Sequence, residues 1–274
     1  MVDTNPKEDL WAEQYGKDQV LTQSRQERYA RHLTMEEIGA CGQQKLLQAK
    51  VCLIGAGGLG SPAALYLAAA GVGTIGIADA DCVELSNLQR QILHTAADLG
   101  KQKVRSAQET LRALNPDTMV RTYPVYVEEK NIQGIIQDYD FVIDAADNFA
   151  TKFLINDACV RARKPFVHAG VIRFQGQLMT YVPGKGPCYR CIFKNPPPQD
   201  AVPSAKQAGI VGAVCGVIGS LQAMEAVKYV LGAGELLTGQ LLTYDALHTK
   251  FRVIKLPGPA ADCAACGDDS QKIC

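Results

Sequence analysis

Val51-Cys52-Leu53-Ile54-Gly55-Ala56-Gly57-Gly58-Leu59-Gly60-Ser61-Pro62-Ala63-Ala64-Leu65-Tyr66-Leu67-Ala68-Ala69-Ala70-Gly71 runs from an apolar strand through a glycine turn into an alanine-rich helix. The order is that of a nucleotide site. Backbone without side chains lets a phosphate approach closely, and the helix that follows presents unpaired N–H groups and the positive end of its dipole. Gly55, Gly57 and Gly60 occupy the three glycine positions, with Gly58 inside the turn. Pro62 is tolerated in a first helical turn, and Gly71 and Gly73 read as stop signals. Thr74 to Ala78 returns as a second strand, which places Asp79 where a carboxylate can accept hydrogen bonds from ribose hydroxyls.

Outward from that unit, Glu27 to Leu33, Met35 to Gly39 and Gln43 to Leu47 are consistent with helices leading into the first strand. Downstream, the pattern predicts a helix from Lys101 to Leu114, ended by Asn115-Pro116, and strands at Val120 to Val127 and Asp140 to Asp144. A helix from Thr151 to about Arg161 precedes Pro165 to Gly170, and a hairpin-like pair is expected at Val171 to Phe174 and Gly176 to Tyr181. Pro183 to Pro203 is too long for a simple connection and reads as a functional or mobile loop. Helical periodicity over Gly209 to Leu231 and strands at Leu241 to Tyr244 and Phe251 to Lys255 complete the pattern. The fold class expected is α/β: a Rossmann-like nucleotide-binding domain whose mixed, largely parallel sheet is extended by a C-terminal β-rich part. Residues 1–24 read as a polar arm, 25–267 as a single domain with a nucleotide-binding half at about 50–150 and a second half at about 165–267, and 268–274 as a tail.

Composition sets bounds. Among 274 residues, 28 basic and 28 acidic side chains cancel, which gives no general reason to expect nucleic acid or a membrane surface as partner. The early charges Asp3, Lys7, Glu8, Asp9 and Glu13 leave no apolar signal core, and no charge-free run reaches membrane-spanning length, so a cytoplasmic enzyme is the default expectation. Of ten cysteines, Cys188, Cys191, Cys263 and Cys266 form two pairs spaced for a tetrahedral zinc. A redox dithiol or two unrelated pairs fit the same spacing. Cys41, Cys52, Cys82, Cys159 and Cys215 read as core or near-surface fillers, and Cys274 as a free tail thiol.

The glycine turn alone would suit a nicotinamide-dependent dehydrogenase. Three features favour triphosphate instead. Asp79-Ala80-Asp81 leads into the amide-rich Ser86-Asn87-Leu88-Gln89-Arg90-Gln91, beyond a strand's carboxyl end where open α/β sheets bind ligands. Lys101 and Lys103 open the next helix, and Asp147 stands at the end of the fourth strand, where a carboxylate can hold magnesium against phosphate. Each has a bland reading: Arg90 and Lys103 as solvated charges, Asp147 as a helix N-cap.

Together with Arg28-Tyr29-Ala30-Arg31, Gly100-Lys101-Gln102-Lys103, Asp144-Ala145-Ala146-Asp147-Asn148, Pro187 to Cys191, Gly216 to Ala223 and Cys263 to Cys266, these motifs resemble the MoeB/ThiF adenylyltransferases (the HesA/MoeB/ThiF family), bacterial relatives of ubiquitin-activating enzymes. The resemblance covers about residues 25 to 267. It implies ATP-dependent adenylation, with release of pyrophosphate, of the C-terminal glycine carboxylate of a small ubiquitin-like sulfur carrier ending in Gly-Gly. The pathway would be molybdopterin or thiamine thiazole synthesis or related sulfur transfer, with a separate sulfur donor or sulfurtransferase. On the same pattern Asp79 binds ribose, Arg90 and Lys103 are the phosphate and transition-state cations, Asp147 is the carboxylate linked to Mg2+, and Asp81, Asn87, Gln91 and Asn148 give polar support. Arg31 resembles an arginine that reaches the ATP of a neighbouring subunit, which implies a homodimer, and the cysteine quartet matches a structural Zn2+. One departure stands out: Ala205 occupies the place of a crossover-loop cysteine that can link covalently to the carrier. Two readings compete: an ATP-dependent tRNA-base dehydratase of the same superfamily, and a non-catalytic scaffold that only binds a carrier.

Overall fold

The computed structural model describes residues 21–198 and 205–267, with 205 and 206 as backbone only. Most of the expected arm, the tail with Cys274, and Pro203-Ser204 lie outside the described residues. Helix α1 (Gln23–Arg28) already begins where the arm was expected to end, capped by Thr22, whose hydroxyl accepts from Arg25 N–H. A short α2 (Ala30–Leu33) and α3 (Gly39–Gln48) follow and deliver the chain to β1 (Lys50–Ile54).

The glycine turn then leads into α4 (Gly60–Ala70), ended by Gly71 at φ 85°, and β2 (Thr74–Ala78) pairs parallel to β1 in register Lys50 to Thr74. The rest of the nucleotide half is α5 (Lys103–Leu114), β3 (Met119–Tyr123), α6 (Glu129–Ile136) and β4 (Phe141–Asp144). Beyond it come α7 (Phe149–Arg161), β5 (Phe166–Ile172), β6 (Gln175–Tyr181), α8 (Tyr189–Ile192), α9 (Ala205–Ala208), α10 (Gly212–Leu231), β7 (Gln240–Asp245) and β8 (Lys250–Lys255). One eight-stranded sheet runs β3-β2-β1-β4-β5-β6-β7-β8. Its first five strands are parallel and the last three antiparallel, the mixed, largely parallel α/β sheet expected. Chain direction across the sheet reverses at β1, between β2 and β4, and a crevice opens at such a switch point.

Each face of the sheet carries its own core. Leu53, Ile75, Phe141 and Val167 pack under α4 and α10 on one side; Cys52, Ile54, Val142 and Phe166 meet α6 and α7 on the other. Helix α10 is long and apolar enough to cross a membrane, yet it packs on α4 and on β4 to β6 as a core helix. Its Glu225 is buried, accepts from Thr180 Oγ1 at 2.5 Å and Leu237 N–H at 2.9 Å, and pairs with Lys228.

Several boundaries differ from expectation. The hairpin's first strand is the continuous β5, because Gly170 stays in register opposite Gln177 and does not break it; the turn is Arg173-Phe174, with Arg173 at φ 51°. Strand β3 stops at Tyr123 because Pro124 has no N–H for the ladder. Helix α5 starts at Lys103, two residues late, and α10 starts at Gly212, not Gly209. Helix α6 was unexpected; Glu128 and Asn131 close a capping box at its start. At the far edge, every residue of β8 is exposed, the apolar Phe251, Val253 and Ile254 together with the cationic Lys250, Arg252 and Lys255.

Candidate active site

The turn after β1 is built by steric necessity at two glycines. Gly55 has φ 107°, and a Cβ on it would lie 2.6 Å from Ala145 O; one on Gly60 would lie 2.1 Å from Gly55 O. Gly57 is different. An added Cβ there meets nothing nearer than Gln91 Nε2 at 3.6 Å, ordinary contact, so the protein itself leaves that place open.

Side chains clamp the turn from both sides. Asp79, at the end of β2, accepts Ala56 N–H on Oδ2 at 2.8 Å and Asp81 N–H on Oδ1 at 2.9 Å. Burial raises its pKa, against the opposing pull of Lys103 and these N–H groups. At the other end of the same residue, His94 Nε2–H donates to Ala56 O at 3.0 Å while Nδ1 accepts from Ser106 Oγ at 2.8 Å. Burial lowers the His94 pKa and keeps the ring neutral. The sequence did not single out His94. Its role depends on α5 carrying Ser106 under the turn.

A cleft of about 720 Å3 opens over this turn. Gly55, Gly57, Gly58, Asp79, Asp81, Arg90, Gln91, Lys103, Asp147 and Asn148, all expected site residues, line it. Lys103 is nearly buried, its Nζ 2.9 Å from the half-exposed Asp81 Oδ2. Arg90 donates from a guanidinium nitrogen to Ser86 O at 3.0 Å, with its stem against Gly58. Gln91 is buried with no partner for Oε1 among the described residues. Asp147 is exposed, so its carboxylate is open to a cation and water, the donor set that suits magnesium beside phosphate. The N-cap of α7 is Asn148, which accepts Thr151 N–H at 2.9 Å, and Asp147 is free of that duty.

Three expected site residues do not line the cleft. Asn87 is buried outside the cleft lining, where its Oδ1 accepts Glu84 N–H at 3.1 Å and caps a 3-10 turn (Leu85–Asn87). Arg31 is exposed on α2, does not line the cleft of its own chain, and has no ion-pair partner among the described residues. Gly60 is buried at the start of α4.

Sequence reasoning missed the group at the cleft floor. Asp144, fully buried, lies 3.3 Å from Lys152 Nζ and 2.7 Å from His168 Nδ1. The cleft then continues over β5, β6 and β7 past Gly170, Gly176 and Tyr244 to Lys250 and Arg252 on β8.

The cysteine quartet does converge. Sulfur separations of 3.9 Å (Cys188 to Cys191), 3.6 Å (Cys188 to Cys263) and 3.4 Å (Cys191 to Cys266) bracket the ~3.8 Å edge of a tetrahedron with Zn–S of ~2.3 Å. Arg190, between the first pair, anchors the knuckle to α7 through Asp157 at 2.6 and 2.7 Å and lies over the Phe153 ring. Of the remaining cysteines, Cys52, Cys159 and Cys215 are buried as expected, and Cys41 and Cys82 are exposed. Cys215 lies against Gly58 in the cleft wall, where burial pushes its thiol up to about 11.

Residues 29–265 match the ThiF family. The adenylyltransferase and sulfurtransferase MOCS3 of Culex quinquefasciatus is 49% identical over 242 residues, 88% of this chain and 55% of that protein, so the chain spans about half the length of such relatives. The sulfur carrier protein adenylyltransferase of Thermus thermophilus is 45% identical over 253 residues, 90% of this chain and 93% of that one. Among solved structures, E. coli MccB with ATP superposes with a TM-score of 0.77 at 26% identity, covering 88% of this chain and 75% of MccB. With its match spanning the glycine turn, the cleft and most of the cysteine knuckle, the chain belongs to the ThiF family.

Proposed function

We propose that this chain adenylates the C-terminal glycine carboxylate of a small ubiquitin-like sulfur carrier, of the MoaD or ThiS kind. The observation that carries this reading is the two-armed cleft. One arm holds the clamped glycine turn, Asp79 and the cations Arg90 and Lys103; the other runs over β5 to β7 past two glycines, with room for a thin peptide tail. The names of the Culex and Thermus relatives, and the ATP in the MccB structure, support the same chemistry.

ATP would lie with its ribose at Asp79 and its phosphates over Gly57. A carboxylate oxygen of the carrier attacks the α-phosphorus, the bond to the bridging oxygen of the β-phosphate breaks, and pyrophosphate leaves with that electron pair. Two anions meet in this step. Lys103 and Arg90 oppose the charge that builds on the phosphates, and alignment of the tail supplies the rest. Asp147 would hold Mg2+, which supplies charge neutralisation when bound. Cys188, Cys191, Cys263 and Cys266 would hold Zn2+ with no position open for water, a structural role.

With Ala205 in place of a thiol and Cys215 held protonated by burial, the product remains an acyl adenylate until an external sulfur donor attacks its carbonyl. Arg31, with no ion-pair partner among the described residues and outside its own cleft, would complete the site of a second copy in a cytoplasmic homodimer, so Arg31→Ala and Lys103→Ala subunits should recover exchange on mixing. The test of the whole reading is ATP–pyrophosphate exchange with MoaD- and ThiS-type carriers ending in Gly-Gly. Carrier-dependent exchange supports it; ATP binding with no exchange for any carrier leaves a scaffold and ends it.

A further inference from the structure

Asp144 and His168 are neighbours in parallel register on β4 and β5. Lys152 Nζ sits 3.3 Å from each Asp144 oxygen and donates to Ala169 O at 2.7 Å, so the buried carboxylate already has its countercharge. His168 therefore has no charge to supply; burial and the nearby Lys152 both lower its pKa. A neutral ring whose Nδ1–H donates to Asp144 Oδ2 at 2.7 Å carries a lone pair on Nε2. That atom is buried without a hydrogen-bond partner among the described residues, although the residue lines the cleft and is 1% exposed. The Tyr189 ring, 4.2 Å from the imidazole centroid, fixes its orientation. A buried acceptor left unpaired is costly, and a donor arriving from the cleft would relieve it.

The class of that donor follows from place and chemistry. Phosphate and carboxylate oxygens offer no proton to an acceptor. The nucleotide's markers, the glycine turn on β1 and Asp79 on β2, lie on the far side of β4 from His168, whereas β5 leads along Gly170 into the second arm. Strand β5 is two strands from β1, roughly 10 Å. A hydrogen bond of ~3 Å, one glycine residue of ~3.5 Å and a reacting approach of ~3 Å span that gap.

We propose that His168 Nε2 accepts the backbone N–H of the carrier's last peptide bond and so holds the terminal carboxylate toward the glycine turn. This rests on the substrate being a peptide carboxylate, as read above. The sharpest variant is His168→Asn, whose side-chain amide can still donate to Asp144 but places nothing at Nε2. In pyrophosphate exchange with whichever of the MoaD- and ThiS-type carriers the wild type uses, it should raise the carrier KM about three- to tenfold. The KM for ATP and the melting temperature should stay at wild-type values. A semisynthetic carrier whose last peptide bond is an ester lacks the N–H; it should lose the same factor with the wild type and nothing further with His168→Asn. Equal carrier KM values for wild type and variant, a parallel rise in the ATP KM, or additive losses with the ester would each overturn the assignment. If His168→Asn does not fold, the wild type with the ester carrier decides alone, an unchanged KM refuting it. A wild type inert with both carriers would instead remove the functional reading on which the assignment stands.

Discussion

Replacing Gly57 by alanine separates what the fold needs from what the ligand needs. The new methyl would meet only Gln91 Nε2, at 3.6 Å, and Gly57 does not have a positive φ, so the folded chain accepts it without strain. Fewer unfolded conformations then make the variant as stable as the wild type or more so, by about 0.4–1 kcal/mol, a melting shift of up to roughly 4 °C. Its methyl nevertheless projects where a phosphate must approach the backbone. Losing one charge-assisted hydrogen bond there costs about 1.5–3 kcal/mol, which is about a tenfold to hundredfold rise in the Kd for ATP. Calorimetric titration with ATP and a thermal melt of the same sample provide both readings. Gly60→Ala is the contrast: its methyl would sit 2.1 Å from Gly55 O, so stability and binding should fall together. Unchanged ATP affinity in Gly57→Ala, or a collapse of its melting temperature, would refute the reasoning.

Lys103→Met keeps the buried stem and removes the ammonium, leaving a half-exposed Asp81 that water can solvate; exchange should drop about a hundredfold or more with little change in melting temperature. Cys263→Ser should take zinc content, measured by elemental analysis, from one equivalent toward none and lower the melting temperature. Zinc at full occupancy in that variant would show that the quartet is not the site. The lowered pKa of His94, neighboured by Asp79, Asp98 and Lys103, has a definite sign: the unfolded chain takes up this proton near pH 6.5 and the folded chain only below that, so stability is complete above about 6.5 and declines as pH falls. His94→Gln, which keeps a donor for Ala56 O, should show a shallower decline between pH 6.5 and 5.5 in urea unfolding; identical slopes would contradict this.

What the sequence disclosed was local. Strand, turn, helix and Asp79 are contiguous, and a glycine turn is spelled out by the residues that make it. The cysteine quartet was legible through its spacing, although only the fold brings Cys263 within 3.6 Å of Cys188. The cleft floor was hidden because it is made by pairing: Asp144 meets His168 only when β4 and β5 run parallel, and Lys152 reaches Asp144 and the Ala169 carbonyl by lying one turn into α7. Asn87 and Gln91 look alike in an amide-rich stretch, and the local 3-10 turn claimed one for its own cap. Gly170 misled in the opposite direction, since a glycine inside a ladder is indistinguishable in sequence from one that ends it.

Among the described residues, strand β8 ends the sheet with one side of its backbone unpaired, and such an edge is a template onto which another strand can add. Lys250, Arg252 and Lys255 set cationic side chains along it, so a second copy laid edge to edge would bring like charges together. This guard is electrostatic and therefore conditional. At ~0.15 M salt the charges act over about 8 Å, more than a strand spacing, and at ~1 M over about 3 Å, less than one. High ionic strength thus removes the repulsion and leaves Phe251, Val253 and Ile254 in place, and colloidal stability at this edge is a property of the buffer as much as of the fold.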